Sequence, residues 1–257
     1  MIYLKSPKEI QGMRDSNRIV AEILRKLTGE LKPGISTEEL ENIAKVEIAR
    51  RGALPAFQGY RGYKFVTCIS INEEVVHGTP GRRRVEAGDI VSIDLGVKFR
   101  GFYGDAALTY PVGKVSPAAK RLLKITYEAL YEGIKAARAG NYLGDISWAI
   151  QRKVESEGLF IIKAFVGHGI GKELHEDPQV PNFGKPKTGV KLQEGMTLSI
   201  EPMVSEGTED VRIYPDKWTA VTVDGSLAAH FEHTIAITKN GPKILSGGWE
   251  EIMMSLV

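Results

Sequence analysis

The run Val85-Glu86-Ala87-Gly88-Asp89-Ile90-Val91-Ser92-Ile93-Asp94-Leu95, continued by Gly96 to Gly104 and then by Asp105-Ala106-Ala107-Leu108-Thr109-Tyr110, decides how this chain folds. Both flanks are rich in β-branched and aromatic residues, and Gly96, Gly101 and Gly104 punctuate the middle, which predicts two antiparallel strands joined by a loop. Alternation along a strand puts Asp94 with Ser92 on one side and Val91, Ile93 and Leu95 on the other. If the hairpin closes about Phe99 and Arg100, Asp94 and Asp105 are cross-strand neighbours with Cβ atoms roughly 5 Å apart. Two carboxylates so close in a half-buried sheet repel, and a cation between them or a shared proton relieves the conflict. The alternative is that one Asp ends its strand and the other caps a turn, both facing water.

Moving outward, Ser6-Pro7-Lys8-Glu9 has a cap residue, proline at the first helical position and glutamate at the third, a helix start. Ile10, Met13, Val20, Ile23, Leu24 and Leu27 follow at helical spacing to about Thr28. After Lys32-Pro33-Gly34, Ser36-Thr37-Glu38-Glu39 opens a second helix that closes at Gly52, and Tyr63 to His77 is strand-like. The pattern then restarts. Ser116-Pro117 opens a helix, another runs from about Gly144 to Gly158, and Ala164-Phe165 answers Ala56-Phe57. Val85-x-x-Gly88-x-x-Val91-Ser92-Ile93-Asp94 is echoed by Leu192-x-x-Gly195-x-x-Leu198-Ser199-Ile200-Glu201 at a constant offset of 107 residues. The expectation is a duplicated α+β architecture, one catalytic domain over 1–257 with pseudo-twofold halves 6–110 and 116–240, and Asp94 and Glu201 as equivalent acids on equivalent strands. Sites tend to lie where such halves meet.

The chain has 257 residues, 34 Lys plus Arg against 32 Asp plus Glu, and a net charge of +2. That balance gives no sign of a nucleic-acid or polyanion binder. A single cysteine, Cys68, excludes an internal disulfide framework and suits a reducing compartment. Neither a signal-peptide pattern nor a run of about 18 apolar residues occurs, so the expectation is a cytoplasmic protein with no membrane association.

Near the end, Trp218 to Val223 and Phe231 to Thr238 are expected to form a hairpin across Asp224-Gly225. In its returning strand Glu232 shares a face with His230, Thr234 and Ala236, whereas His233 points away. His168 sits in Gly167-His168-Gly169-Ile170-Gly171, where glycines are expected to turn the backbone sharply and leave the imidazole uncovered. A phosphate-cradling reading fails, because the segment is one residue short and lacks a hydroxyl residue after Lys172. Asp94, Asp105, His168, Glu201 and Glu232 together offer four carboxylates and one imidazole, a set that can hold two divalent ions. Oxygen-rich ligation with one nitrogen suits Mn, Fe(II), Co or Zn in a reactive site better than a structural zinc cage.

This set, with Gly-His-Gly-Ile-Gly around the histidine and Ser199-Ile200-Glu201-Pro202, resembles the type I methionine aminopeptidases of the pita-bread (creatinase/aminopeptidase) fold over nearly the whole chain. The resemblance implies an antiparallel sheet covered by helices and two divalent metal ions (Co, Mn, Fe(II) or Zn). It also implies release of N-terminal methionine from peptides and nascent chains, with preference for a small second residue and transient ribosome contact. In that family a metal-bound water or hydroxide attacks the scissile carbonyl. Glu201 is then ligand and proton shuttle, His77 contacts substrate near the scissile amide, and His175 stabilises the carbonyl oxygen as it becomes tetrahedral. The methionine pocket is implied to be lined by Tyr60, Tyr63, Cys68 and Trp218, with Phe57 and Leu174 where other members commonly carry cysteine and phenylalanine. Read without the resemblance, Cys68 is an inert strand cysteine, since no charged activating neighbour is apparent. Two rival readings stand beside this one, an Xaa-Pro aminopeptidase or prolidase using similar ligands, and a non-catalytic binding module on the same fold.

Overall fold

A computed structural model of the chain describes residues 1–249. Among these residues four α-helices cover a curved antiparallel sheet, α1 (Pro7–Glu30), α2 (Thr37–Arg50), α3 (Pro117–Ala136) and α4 (Leu143–Glu155). The first two start where their sequences predict. Ser6 and Ser36 each accept from the backbone N–H of a glutamate three residues on, Glu9 or Glu39, whose carboxylate returns the bond to the serine N–H.

The central sheet has nine strands among the described residues, β1 (Leu54–Pro55), β2 (Thr67–Ile71), β3 (Ile90–Phe99), β4 (Phe102–Pro111), β5 (Gly167–Gly169), β6 (Glu176–Val180), β7 (Thr197–Ile200), β8 (Glu232–Thr238) and β9 (Gly241–Ile244). Its order is β1-β3-β4-β8-β7-β5-β6, with β2 also paired to β3 and β9 to β8. The long β3–β4 hairpin therefore meets β8 and β7 across a β4–β8 junction, in the register Glu232 to Ala107 and His233 to Ala106. One face of these strands packs under the helices through Ile93, Leu95, Leu108, Leu198, Ile200 and Ile235. Helix α1 lies directly on β4, since a Cβ on Gly104 would come within 2.7 Å of the Asn17 backbone nitrogen. Among the described residues, no helix is long and apolar enough to cross a membrane.

Three expectations are corrected here. The β3–β4 strands run on through Gly96 and Gly104, leaving only Arg100 and Gly101 in the turn. Both have positive φ, 49° and 87°, as a two-residue hairpin turn matching strand twist requires, and Gly101 makes this the cheaper place to turn than Phe99-Arg100. The Trp218–Val223 and Phe231–Thr238 segments do not form a hairpin. Ala220–Thr222 pairs with Val211–Ile213 and Glu74–Val76, Ala228–His230 pairs with Met203–Ser205, and the chain crosses into the central sheet only after Phe231. Asp224 still organises a turn, its Oδ1 accepting from the Ser226 N–H at 3.0 Å. Finally, Asp94 is paired within β3 whereas Glu201 is the first residue beyond β7, so only one of the two echoed acids sits on its strand.

Candidate metal centre and substrate cavity

Alternation delivers the acids to one face. Asp94 on β3, Asp105 on β4 and Glu232 on β8 all lie opposite the helix-packed side, and Glu201 follows β7 onto the same surface. Because the turn lies at Arg100-Gly101, Asp94 faces Ala107 and Asp105 faces Gly96. The two aspartates are thus diagonal neighbours rather than directly opposed, and this wider spacing, about 7–8 Å between positions, leaves room between carboxylates. Gly96 contributes to that room, as a Cβ there would lie 2.7 Å from Phe57 Cε1 and 3.2 Å from Asp105 Oδ1. The backbone of Asp105 is held at both ends, its N–H donating to Asn17 Oδ1 at 3.3 Å and its carbonyl accepting from Thr234 Oγ1 at 2.8 Å.

His168 lies within β5, not in a sharp loop, and it is buried rather than uncovered. The flanking glycines have ordinary strand conformations. They are required because neighbouring backbones press on them, a Cβ at Gly167 meeting the Ser199 carbonyl oxygen at 2.3 Å and one at Gly169 meeting that of Asp177 at 2.3 Å. His168 Nδ1 donates to the Gly169 carbonyl at 2.9 Å, which leaves the Nε2 lone pair directed at Glu201 Oε1, 3.5 Å away. Ligand atoms of Asp105, His168 and Glu232 lie within 4.8 Å of one another.

The electrostatics of this cluster call for positive charge. Asp94 Oδ1 and Asp105 Oδ1 are buried with no hydrogen-bond partner. Burial first, then the charge of Glu232, holds both aspartates well above the ordinary carboxylate range. Burial raises Glu201 to about 8, and burial followed by the neighbouring Glu201 raises Glu232 to about 8. Burial also lowers His168 to about 4, so the imidazole is neutral and supplies no compensating charge. Four acids that cannot all ionise beside a neutral nitrogen donor fit divalent cations, which would replace the protons.

Above the acids opens a cavity of about 680 Å³, bordered by Phe57, Tyr60, Tyr63, Cys68, His77, Leu174, His175 and Trp218. All eight residues implied as substrate contacts therefore border the acidic cluster. Tyr63 donates to the Thr67 carbonyl at 2.9 Å and meets Trp218 edge-on at 4.9 Å, while Phe57, Tyr60 and Leu174 join a small apolar cluster with Ile170. Burial, then Asp94 across the strand pair, pushes the Cys68 thiol up, which agrees with an inert cysteine. His175 stacks at a tilt on His168, 4.3 Å between ring centres, and burial followed by His168 lowers it to about 3. His77 adopts φ of 60°, rare for a residue with a Cβ, and burial lowers it to about 4.

Three further residues enter the site. His230 Nε2 lies 3.6 Å from Glu201 Oε2 and is otherwise unpartnered; its shared face with Glu232 was the available sequence signal. Ser199 donates to Glu232 Oε1, and fully buried Asn182 donates to the Glu201 carbonyl at 3.0 Å. His233 points the other way, as alternation requires, and stacks on Trp249.

The profile of metallopeptidase family M24 matches residues 11–239. Methionine aminopeptidase 1 of Bacillus subtilis is 51% identical over 246 residues, covering 96% of this chain and 99% of the relative. A crystal structure of methionine aminopeptidase from Thermotoga maritima superposes with a TM-score of 0.95 at 51% identity, covering 96% of this chain and all of that one. The prolidase of Pyrococcus furiosus shares the fold more distantly, with a TM-score of 0.76 and 25% identity over 95% of this chain and 65% of that one. With four acids, Asp105 and Glu232 buried and Asp94 and Glu201 partly so, and a buried imidazole already assembled on one sheet face, this match over most of the length carries the conclusion that the chain belongs to metallopeptidase family M24.

Proposed function

We propose that this chain is a methionine aminopeptidase, removing N-terminal methionine from peptides and nascent proteins whose second residue is small. The observation that carries the reading is the juxtaposition of the acid cluster with an aromatic-walled cavity, in a chain about half identical to named methionine aminopeptidases over 96% of its length. Asp94, Asp105, His168, Glu201 and Glu232 hold two divalent ions, Co, Mn, Fe(II) or Zn. Such ions supply Lewis acidity and a lowered water pKa, so no serine or cysteine nucleophile is needed.

The chain's own groups do the rest. Tyr63, Trp218, Phe57, Tyr60, Leu174 and the neutral Cys68 wall the methionine side chain in an apolar, adaptable pocket. Glu201 takes the proton of the attacking water and passes it to the leaving amine, the general acid–base role that the likeness to methionine aminopeptidases implies for it. His175 and His77 are neutral at neutral pH, so each can donate an N–H without adding charge. His175 donates to the carbonyl oxygen as it becomes tetrahedral, and His77 to the substrate beside the scissile amide. Residues 6–110 and 116–240 act as two halves of one catalytic domain meeting at the β4–β8 junction. Cytoplasmic action and transient ribosome contact follow as corollaries of using nascent chains.

The test is hydrolysis of Met-Gly-Met-Met beside Gly-Pro-Ala and an N-acetylated Met peptide, after chelation and after adding back Mn, Co, Fe(II) or Zn. Metal-dependent release of methionine from the free-amine peptide alone is the expected result. Cleavage before proline would move the chain to the prolidase side, and no cleavage by folded protein with any metal would leave a binding module.

A further inference from the structure

The turn that carries Leu174 and His175 is tied to the beginning of the chain by a buried ion pair. The side chains of Lys5 and Glu176 are only 6% and 8% exposed, and the Lys5 ammonium donates to Glu176 Oε2. The other carboxylate oxygen, Oε1, accepts the backbone N–H groups of Lys172 at 2.8 Å and Glu173 at 3.3 Å, closing the turn from Gly171 to Glu176. Gly171 is needed for this arrangement, because a Cβ there would lie 2.4 Å from Lys5 Cε and 2.7 Å from Glu176 Oε1. Lys5 is itself anchored, its N–H donating to the Gly195 carbonyl at 2.7 Å, just before the strand that leads to Glu201. A buried ion pair is a poor device for stability alone, since well-packed apolar side chains of similar volume often do as well. What it does provide is direction, two charged groups and two N–H donors with one geometry that satisfies all of them.

We propose that Lys5 and Glu176 are positioning residues that hold the Gly171–Glu176 turn, and through it the His175 ring, in register with the acid cluster. The inference rests on the proposed role of His175 for its kinetic consequence, though not for the clamp itself. Displacement of a reacting group by about 1 Å costs up to roughly a hundredfold in rate, so a small relaxation of this turn is visible in turnover.

The experiment uses the full metal-loaded chain with Lys5→Met, Lys5→Arg, Glu176→Gln, His175→Ala and the double variant Lys5→Met/His175→Ala. Turnover of Met-Gly-Met-Met and hydrogen exchange at the amides of Lys172 and Glu173 are measured for each. Lys5→Met is expected to lower kcat about tenfold with KM within about twofold, and Lys5→Arg to restore most of the loss. The double variant should be no slower than His175→Ala, and the faster exchange should be confined to the 171–177 segment. Rate losses that multiply in the double variant, or unaltered exchange at those two amides, would overturn the proposal. If His175→Ala leaves kcat unchanged, the role given to His175 fails, while local exchange still decides the clamp. Should Lys5→Met not fold, Glu176→Gln decides by the same kcat and exchange readouts, because it removes the charge facing Lys5 and with it the anchor of the turn to the start of the chain.

Discussion

The two faces of strands β3, β4, β7 and β8 are built on opposite principles. Toward the helices, Ile93, Leu95, Leu108, Ile200 and Ile235 are all essentially without solvent contact and belong to one large core. Toward the cavity, on the alternate residues of the same strands, stand Asp94, Asp105 and Glu232, joined by Glu201; Oδ1 of each aspartate is buried without a hydrogen-bond partner, whereas Glu232 Oε1 accepts from Ser199. Dispersion and apolar burial hold the strands in place from one side, and that rigidity offsets the cost of clustering acids on the other. Binding capacity here is stored as acids that burial and mutual repulsion keep protonated, and whose protons a cation would replace.

The largest effect expected from this contrast is in Glu201→Gln, which preserves shape and removes the proton-carrying carboxylate. Turnover should fall by on the order of 10⁴ while the circular dichroism spectrum is retained. Substantial peptidase activity in that folded variant would sink the role given to Glu201. On the opposite face, Ile93→Ala should cost about 2–5 kcal/mol of stability by leaving a cavity, with little change in kcat for the folded fraction. Denaturant titration combined with active-site-normalised kinetics separates the two faces, and a kcat collapse in this variant would mean they are not independent.

A smaller effect is expected for His175→Ala, a kcat loss of about a hundredfold with KM nearly unchanged, as for removal of one oxyanion donor. A pure KM effect would make it a substrate-binding residue only.

The mildest test concerns the metal-free protein and pH. Folding raises Glu201 and Glu232 from 4.5 to about 8, so between those values the folded chain binds more protons than the unfolded one. Stability from these groups is complete below the ordinary carboxylate range and is lost as pH rises through about 8. His77, His168 and His230 work in the opposite sense below 6.5, because folding lowers each to about 4. Between about pH 6.5 and 8 only the acids remain in play, and the chelated protein should lose on the order of 1 kcal/mol per pH unit. Added Mn should reverse the trend, since cations and protons compete for the same oxygens. A thermal midpoint that climbs across this window after chelation would contradict the picture of a repulsive acidic face.

Much of the site could be read from local pattern. Period-two alternation around Asp94 and Glu232 assigned the cavity face and turned His233 away from it, and serine, proline and glutamate spacing located the starts of α1 and α2. Such signals reach only a few residues and need no knowledge of what packs where. The glycines beside His168 were legible as special but not for the right reason, since their need comes from the backbones of Ser199 and Asp177, far away in sequence.

The sequence by itself determined the strand faces and the helix starts, because side-chain chemistry and backbone periodicity are local properties. Only the tertiary structure decided the diagonal offset of Asp94 and Asp105, the arrival of His230 beside Glu201, the division of Ala220–Thr222 and Glu232–Thr238 between two sheets, and the link from Lys5 to the His175 turn. Each of these depends on which of several compatible pairings closes with the least backbone strain and the most complete burial. That competition is settled across the whole chain at once and leaves no local mark.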